Sequence, residues 1–144
     1  MSAYPEVYYK EVRNQQGRLF ELAGLAYKDM DFWWFVHAYF KSKTGRLVEH
    51  GHPREVNMLG KELLKEFMEG INYQYQKGEA NLSFSADWIG QVLAACRFYY
   101  EADTIDLIDK VTPAYIERVF RAWHEIPLTE AARRLYTYYT TKKD

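Results

Sequence analysis

Asp31-Phe32-Trp33-Trp34-Phe35-Val36-His37-Ala38-Tyr39-Phe40 is the stretch that decides the fold. On a helical wheel at ~100° per residue, Phe32, Phe35, Val36, Tyr39 and Phe40 share one side. Trp33, Trp34 and Ala38 fill the flanks and the back, so the segment is apolar nearly all round. A helix of that kind belongs in a core with other helices packed around it. Lys41-Ser42-Lys43-Thr44 then leads the chain outward, although the helix can continue to about residue 49, weakened by Gly45.

Upstream, Leu19, Leu22, Ala23 and Ala26 recur at helical spacing and predict a helix over about residues 16–28. Asn14-Gln15-Gln16-Gly17 reads as a break before it. Residues 1–14 fit either a helix lined by Val7, Tyr8 and Val12 or an extended, tyrosine-rich arm. Asp29 or Asp31 caps the aromatic helix. Downstream, His50-Gly51-His52-Pro53 is a stop and a restart, with glycine at a helix end and proline in the next first turn. Val56, Leu59, Leu63, Leu64, Phe67 and Ile71 keep helical spacing over four turns.

Gln76-Lys77-Gly78-Glu79-Ala80-Asn81 is the longest polar connection and is expected to be the mobile loop. Ser83 or Ser85 then caps a helix carrying Trp88, Ile89, Val92, Leu93, Cys96, Tyr99 and Tyr100. Thr104 caps a short helix, and Thr112-Pro113 opens another with Tyr115, Ile116, Val119, Phe120 and Trp123 on its apolar face. Pro127 ends that helix, Thr129 caps the last one, and residues 140–144 are expected to fray. No stretch alternates with period two between turn signals. The expected fold is all-α: a single-domain bundle of six or seven helices spanning residues 1–144, around the aromatic helix.

Composition narrows the function classes. With 48% hydrophobic and 27% charged residues, the 144-residue chain suits one soluble globular domain. A formal net charge of −1 carries no basic excess for nucleic acid or an anionic membrane. The longest apolar run is far short of a membrane span. The N-terminal residues lack the basic and apolar regions of a signal peptide. The single cysteine, Cys96, forms no internal disulfide, and a reducing cytoplasm is expected. Aromatic residues, at 17% with 13 tyrosines, are unusually abundant, and tyrosine suits interfaces.

Few residues carry candidate chemistry. Glu49, His50 and His52 put a carboxylate and two imidazoles within four positions, a possible zinc or nickel corner. Three or four converging ligands are needed, however, and histidines at a helix C-terminus are favoured by the dipole alone. The expectation is a loop and cap, with no metal and no cofactor. His37 or His124 can serve as a general base, but a histidine among apolar residues more often has both ring nitrogens satisfied by neighbours. Cys96 lies on an apolar helix face and behaves as a small hydrophobe. Glu101, Asp103, Asp106 and Asp109 do not match a calcium loop, and Arg118, Arg121, Arg133 and Arg134 read as a solvated face before they read as a phosphate patch.

The C-terminal helix offers the one candidate partner surface. Its apolar residues Ala131, Ala132, Leu135, Tyr136, Tyr138 and Tyr139 spread over ~160°, whereas a core stripe can be as narrow as ~100°. Leu135 and Tyr139 sit mid-stripe and should face the core. Tyr136 and Tyr138 lie on opposite edges, at least one of them exposed to a partner, unless an N-terminal arm with Tyr4, Tyr8 and Tyr9 covers them.

Several segments together, Phe32-Trp33-Trp34-Phe35, Glu49-His50-Gly51-His52-Pro53-Arg54, Gly60-Lys61-Glu62-Leu63, Trp88-Ile89-Gly90, Phe98-Tyr99-Tyr100, Ile108-Asp109-Lys110-Val111-Thr112-Pro113 and Tyr115-Ile116, resemble a group of small, all-helical, uncharacterised bacterial proteins common in Firmicutes. The chain departs from that pattern at His52, where the group has Asn, and after Arg54. The resemblance implies a bacterial cytoplasm and a link to ADP-ribosyltransferase-like toxins encoded nearby. The functional expectation is a non-enzymatic protein that binds another protein, a toxin among the options, or itself, in a toxin–antitoxin or phage-related setting. The alternative is a small-molecule or metal-binding protein, or an enzyme using His37 or the His50/His52 corner.

Overall fold

The computed structural model describes residues 4–80 and 85–142. Among these residues there are nine α-helices and no sheet, in a single all-α bundle. They are α1 (Tyr9–Ala26), α2 (Phe32–Lys41), α3 (Lys43–Glu49), α4 (Pro53–Asn57), α5 (Gly60–Gly70), α6 (Ser85–Tyr100), α7 (Thr104–Lys110), α8 (Pro113–Trp123) and α9 (Leu128–Lys142). The count exceeds six or seven because two expected helices are each broken in two.

The first break is at Ser42, whose extended backbone ends α2 and whose hydroxyl accepts from Gly45 N at 3.0 Å to start α3. Gly45 permits the corner: a Cβ there would lie 1.9 Å from the Tyr39 carbonyl oxygen. The second break is at Met58 and Leu59, between α4 and α5. Gln15 Nε2 donates to the carbonyls of Glu55 (3.1 Å) and Met58 (2.8 Å), which a continuous helix would have paired itself. Leu59, placed by periodicity on the apolar face, is thereby exposed.

Gln15 and Gln16 sit mid-helix, because α1 starts at Tyr9 after a 3-10 turn over Glu6–Tyr8. The helical reading of the N-terminal segment therefore holds for residues 6–14, and the break does not form. Gln16 is buried, and its Nε2 donates to Gly90 O at 2.7 Å. That bond marks the crossing of α1 with α6, the most extensive helix pair in the bundle. Gly90 lets the two backbones meet: an added Cβ would stand 2.8 Å from both Gln16 O and Gly17 Cα. α9 packs on the other side of α6, and α5 on α1.

α2 lies against α1 by the side its wheel marks. Phe32, Phe35, Val36, Tyr39 and Phe40 are buried, while Trp33, Trp34, His37 and Ala38 are half-buried. Phe20 of α1 meets Phe32, Phe35, Tyr39 and Phe40 edge-on, with ring centroids 5.4–6.1 Å apart. Asp31 caps α2, accepting from Trp34 N at 2.9 Å.

Asp29 instead accepts from Tyr75 OH at 2.6 Å. That contact helps tie the expected mobile loop to the α1–α2 turn: Asp31 N donates to Gln76 O, Phe32 N to Glu79 O and Gly78 N to Asp29 O. Asn81 and Ser83 lie outside the described residues. At the far end, α9 runs through Thr140, Thr141 and Lys142 where fraying is expected, with Thr141 Oγ1 donating to Tyr138 O at 2.7 Å. Lys143 and Asp144 are again outside the described residues.

Candidate functional site

The Glu49/His50/His52 corner does not converge. Glu49 ends α3 and turns inward, where Thr104 Oγ1 donates to its Oε2 at 2.5 Å. Thr104 is free to do so because Asp103, not Thr104, caps α7, accepting from Asp106 N at 3.3 Å. Burial first, and the Glu49 charge after it, hold two tyrosine hydroxyls, Tyr4 and Tyr39, unpartnered among the described residues, in the neutral form. Tyr4 reaches this place by packing its ring on Gly51, whose φ of 69° suits glycine. His52 faces elsewhere: its Nδ1 lies 2.7 Å from Glu55 Oε1, and Glu55 is 2% exposed. Arg54 also bonds Glu55, and reaches Glu66 at 2.9 Å. Among the described residues no group of three His, Cys, Asp or Glu side chains is placed to hold a metal ion. The half-exposed His52 ring therefore lies against a buried carboxylate and away from Glu49.

Burial raises the Glu49 pKa above its ordinary value, against the opposing Thr104 bond and the Arg97 charge. A carboxylate raised on folding contributes stability that is present below its unfolded pKa, ~4.3, and is lost as pH rises through the folded one. Glu49→Gln therefore melts at a higher temperature than the wild type at pH 7, and the difference closes near pH 4. A lower melting temperature for the variant at pH 7 would show that the Thr104 and Arg97 interactions outweigh the burial.

His37 is a strut between elements. Its Nδ1 contacts Trp33 O at 2.8 Å and its Nε2 contacts Asp109 Oδ1 of α7 at 2.9 Å. Both ring nitrogens thus face acceptors, so the imidazolium makes both bonds at once and a neutral ring only one. One turn earlier, Trp33 Nε1 donates to Glu117 of α8 at 3.1 Å. These two polar tips clasp the outer side of α2 to α7 and α8. His124 is exposed and lies 2.9 Å from Phe120 O within its own helix. Cys96 is fully buried, its thiol pushed up to about 12 by desolvation, with Sγ donating to Ala132 O at 3.5 Å. That leaves the thiolate out of reach at neutral pH.

The acidic cluster is divided in the same way. Asp103 caps, Asp109 meets His37, and Asp106 accepts from Tyr139 OH at 2.5 Å.

The C-terminal helix carries the most developed surface. Leu135 and Tyr139 are buried as their wheel positions require, and Tyr136 and Tyr138 are both half-buried. The cover on the two edges is not the N-terminal arm, whose Tyr4 and Tyr9 pack on Phe98. Tyr136 instead stacks on Tyr100 of α6 at 4.5 Å and 5°. Tyr138 stacks on Tyr115 of α8 at 3.8 Å and 6°.

Along the α8–α9 seam each ring also carries a cation: Arg118 over Tyr115 at 5.4 Å, Arg134 over Trp123 at 6.0 Å and Lys142 over Tyr138 at 5.3 Å. Glu130 accepts from Arg133 and Arg134, which hold its carboxyl down at about 2. Sequence spacing located Tyr138 but not Tyr115 as its partner, because which two helices lie side by side is a property of the tertiary packing.

No protein-family model, curated protein or solved structure matches the chain.

Proposed function

We propose that this protein is a non-enzymatic helical interaction protein, and that its partner docks on α9 at Tyr136 and Tyr138, which lie on opposite edges of its apolar stripe. The observation that supports this reading is the Tyr115–Tyr138 stack, two half-buried rings held flat against each other between exposed cations. Rings fixed in advance lose little freedom on binding, which favours them as anchors. The resemblance to Firmicute-type helical proteins supplies the partner class, a toxin of the ADP-ribosyltransferase type, in a bacterial cytoplasm. A second copy of this chain is the alternative occupant.

The test is affinity capture from the native cell with mass spectrometry, run beside gel filtration of the purified protein. Tyr136→Ala combined with Tyr138→Ala removes both stacks, each worth about 0.5–1.5 kcal/mol. The variant should remain folded well above growth temperature but lose the captured partner, or lose self-association if the occupant is a second copy. Equal association by variant and wild type would overturn the reading.

A favoured second observation belongs to the His52–Glu55 pair, an oriented imidazole that an enzyme could use as a base. In that reading His52→Gln abolishes an activity while leaving capture intact.

A further inference from the structure

The chain as a whole is close to neutral, with 19 basic and 20 acidic residues. The α8–α9 seam is not. Arg118, Arg134 and Lys142 rest on its rings, and Glu130 is already engaged by Arg134 and by the neighbouring Arg133. Glu117, next to Arg118, accepts from Trp33 on the α2 side. The seam therefore joins a positive excess to a floor of aromatic rings.

A cation resting on a ring face gives that face only a weak, non-directional contact. Its N–H donors remain available at the edge, and an arriving carboxylate gains charge-assisted hydrogen bonds from them. Arg134, Tyr138 and Lys142 follow at four-residue intervals and form one stripe along α9. At 1.5 Å per residue that stripe is ~12 Å long. On α8, Tyr115 touches Trp123 at 6.3 Å and carries Arg118 at 5.4 Å.

We infer that this seam binds an acidic segment of the partner protein, with its carboxylates on Arg118, Arg134 and Lys142 and an apolar side chain against the edges of the Tyr115–Tyr138 stack. The inference rests on the interaction reading and names the chemistry of what docks there. A protein segment fits better than a nucleic acid strand. A phosphate backbone is bound by a broad basic footprint, and this chain has no net positive charge to supply one beyond the seam.

The test uses the full chain and two fluorescent probes, a 20-residue polyglutamate peptide and a 20-nucleotide oligothymidylate, titrated by anisotropy at low and at 0.15 M salt. The wild type should bind polyglutamate saturably and more tightly than oligothymidylate, with affinity falling as salt rises. Arg118→Glu with Lys142→Glu should weaken that binding at least tenfold, and Arg118→Gln with Lys142→Gln should weaken it less. The same charge-reversed protein should lose the partner captured from cells. Tighter binding of oligothymidylate, or polyglutamate binding unchanged by the reversal, overturns the inference. If charge reversal spares capture while Tyr136→Ala with Tyr138→Ala abolishes it, the interaction reading stands and the acidic chemistry fails. If neither variant affects capture, both fail.

Discussion

Phe20→Ala is expected to cost about 3–5 kcal/mol, enough to consume much of a typical domain's stability. Phe20 has no exposed surface, and it is the point where α1 meets α2. Its ring sits among Phe32, Phe35, Tyr39 and Phe40, all edge-on with interplanar angles of 71–88°. Truncation removes four aromatic contacts at once and leaves a cavity walled by rigid rings, which relax poorly into it. A thermal melt should show a loss of ten degrees or more, or no cooperative transition. Leu25→Ala on the same helix is the control, because Leu25 is 53% exposed and its loss should change stability by no more than ~0.5 kcal/mol. Similar losses in the two variants would show that the α1–α2 contact is not a principal source of stability.

Gly90→Ala should destabilise by about 1–3 kcal/mol, against the direction that helix propensity dictates. Alanine is the better helix former by ~1 kcal/mol, so at an open position the change stabilises. At Gly90 the new methyl would lie 2.8 Å from Gln16 O and Gly17 Cα and 2.9 Å from Gly17 N. All three are backbone atoms of α1 and cannot swing aside. The helices must separate, straining the Gln16–Gly90 hydrogen bond and loosening the pair that carries the bundle. Gly70→Ala tests the reasoning from the other side. Nothing lies within 4 Å of a Cβ at Gly70, so that change should raise the melting temperature slightly. Urea denaturation of both variants gives the two signs. A stabilised Gly90→Ala protein would mean that the α1–α6 crossing yields easily.

How much of this was legible beforehand differs from residue to residue. The wheel of the aromatic segment separates the buried side of α2 from its half-buried side, because helical periodicity is local and survives any packing. Gly51 and Pro53 mark the end of α3 and the start of α4 for a similar reason, since both act through their own backbone angles. Leu135 and Tyr139 on α9 are inward for the same local reason.

What the chain order could not express is which surfaces meet. Gln15 and Gln16 look like a polar break, yet they are buried because carbonyls of the α4–α5 region and of Gly90 come to them from far along the chain. Glu49 and His52 are neighbours in sequence, yet Thr104 draws one inward while the buried Glu55 holds the other at the surface. Tyr138 was visible as an edge residue, but the ring that completes the seam, Tyr115, lies on a different helix. Local sequence therefore determined most of the helical segments and the faces they bury, but not the breaks at Ser42 and Met58–Leu59, nor the exposure of Leu59. Only the tertiary structure decided the partner of each polar group, because a buried donor or acceptor is satisfied by whatever packing brings within ~3 Å, and that pairing carries no periodicity in the chain.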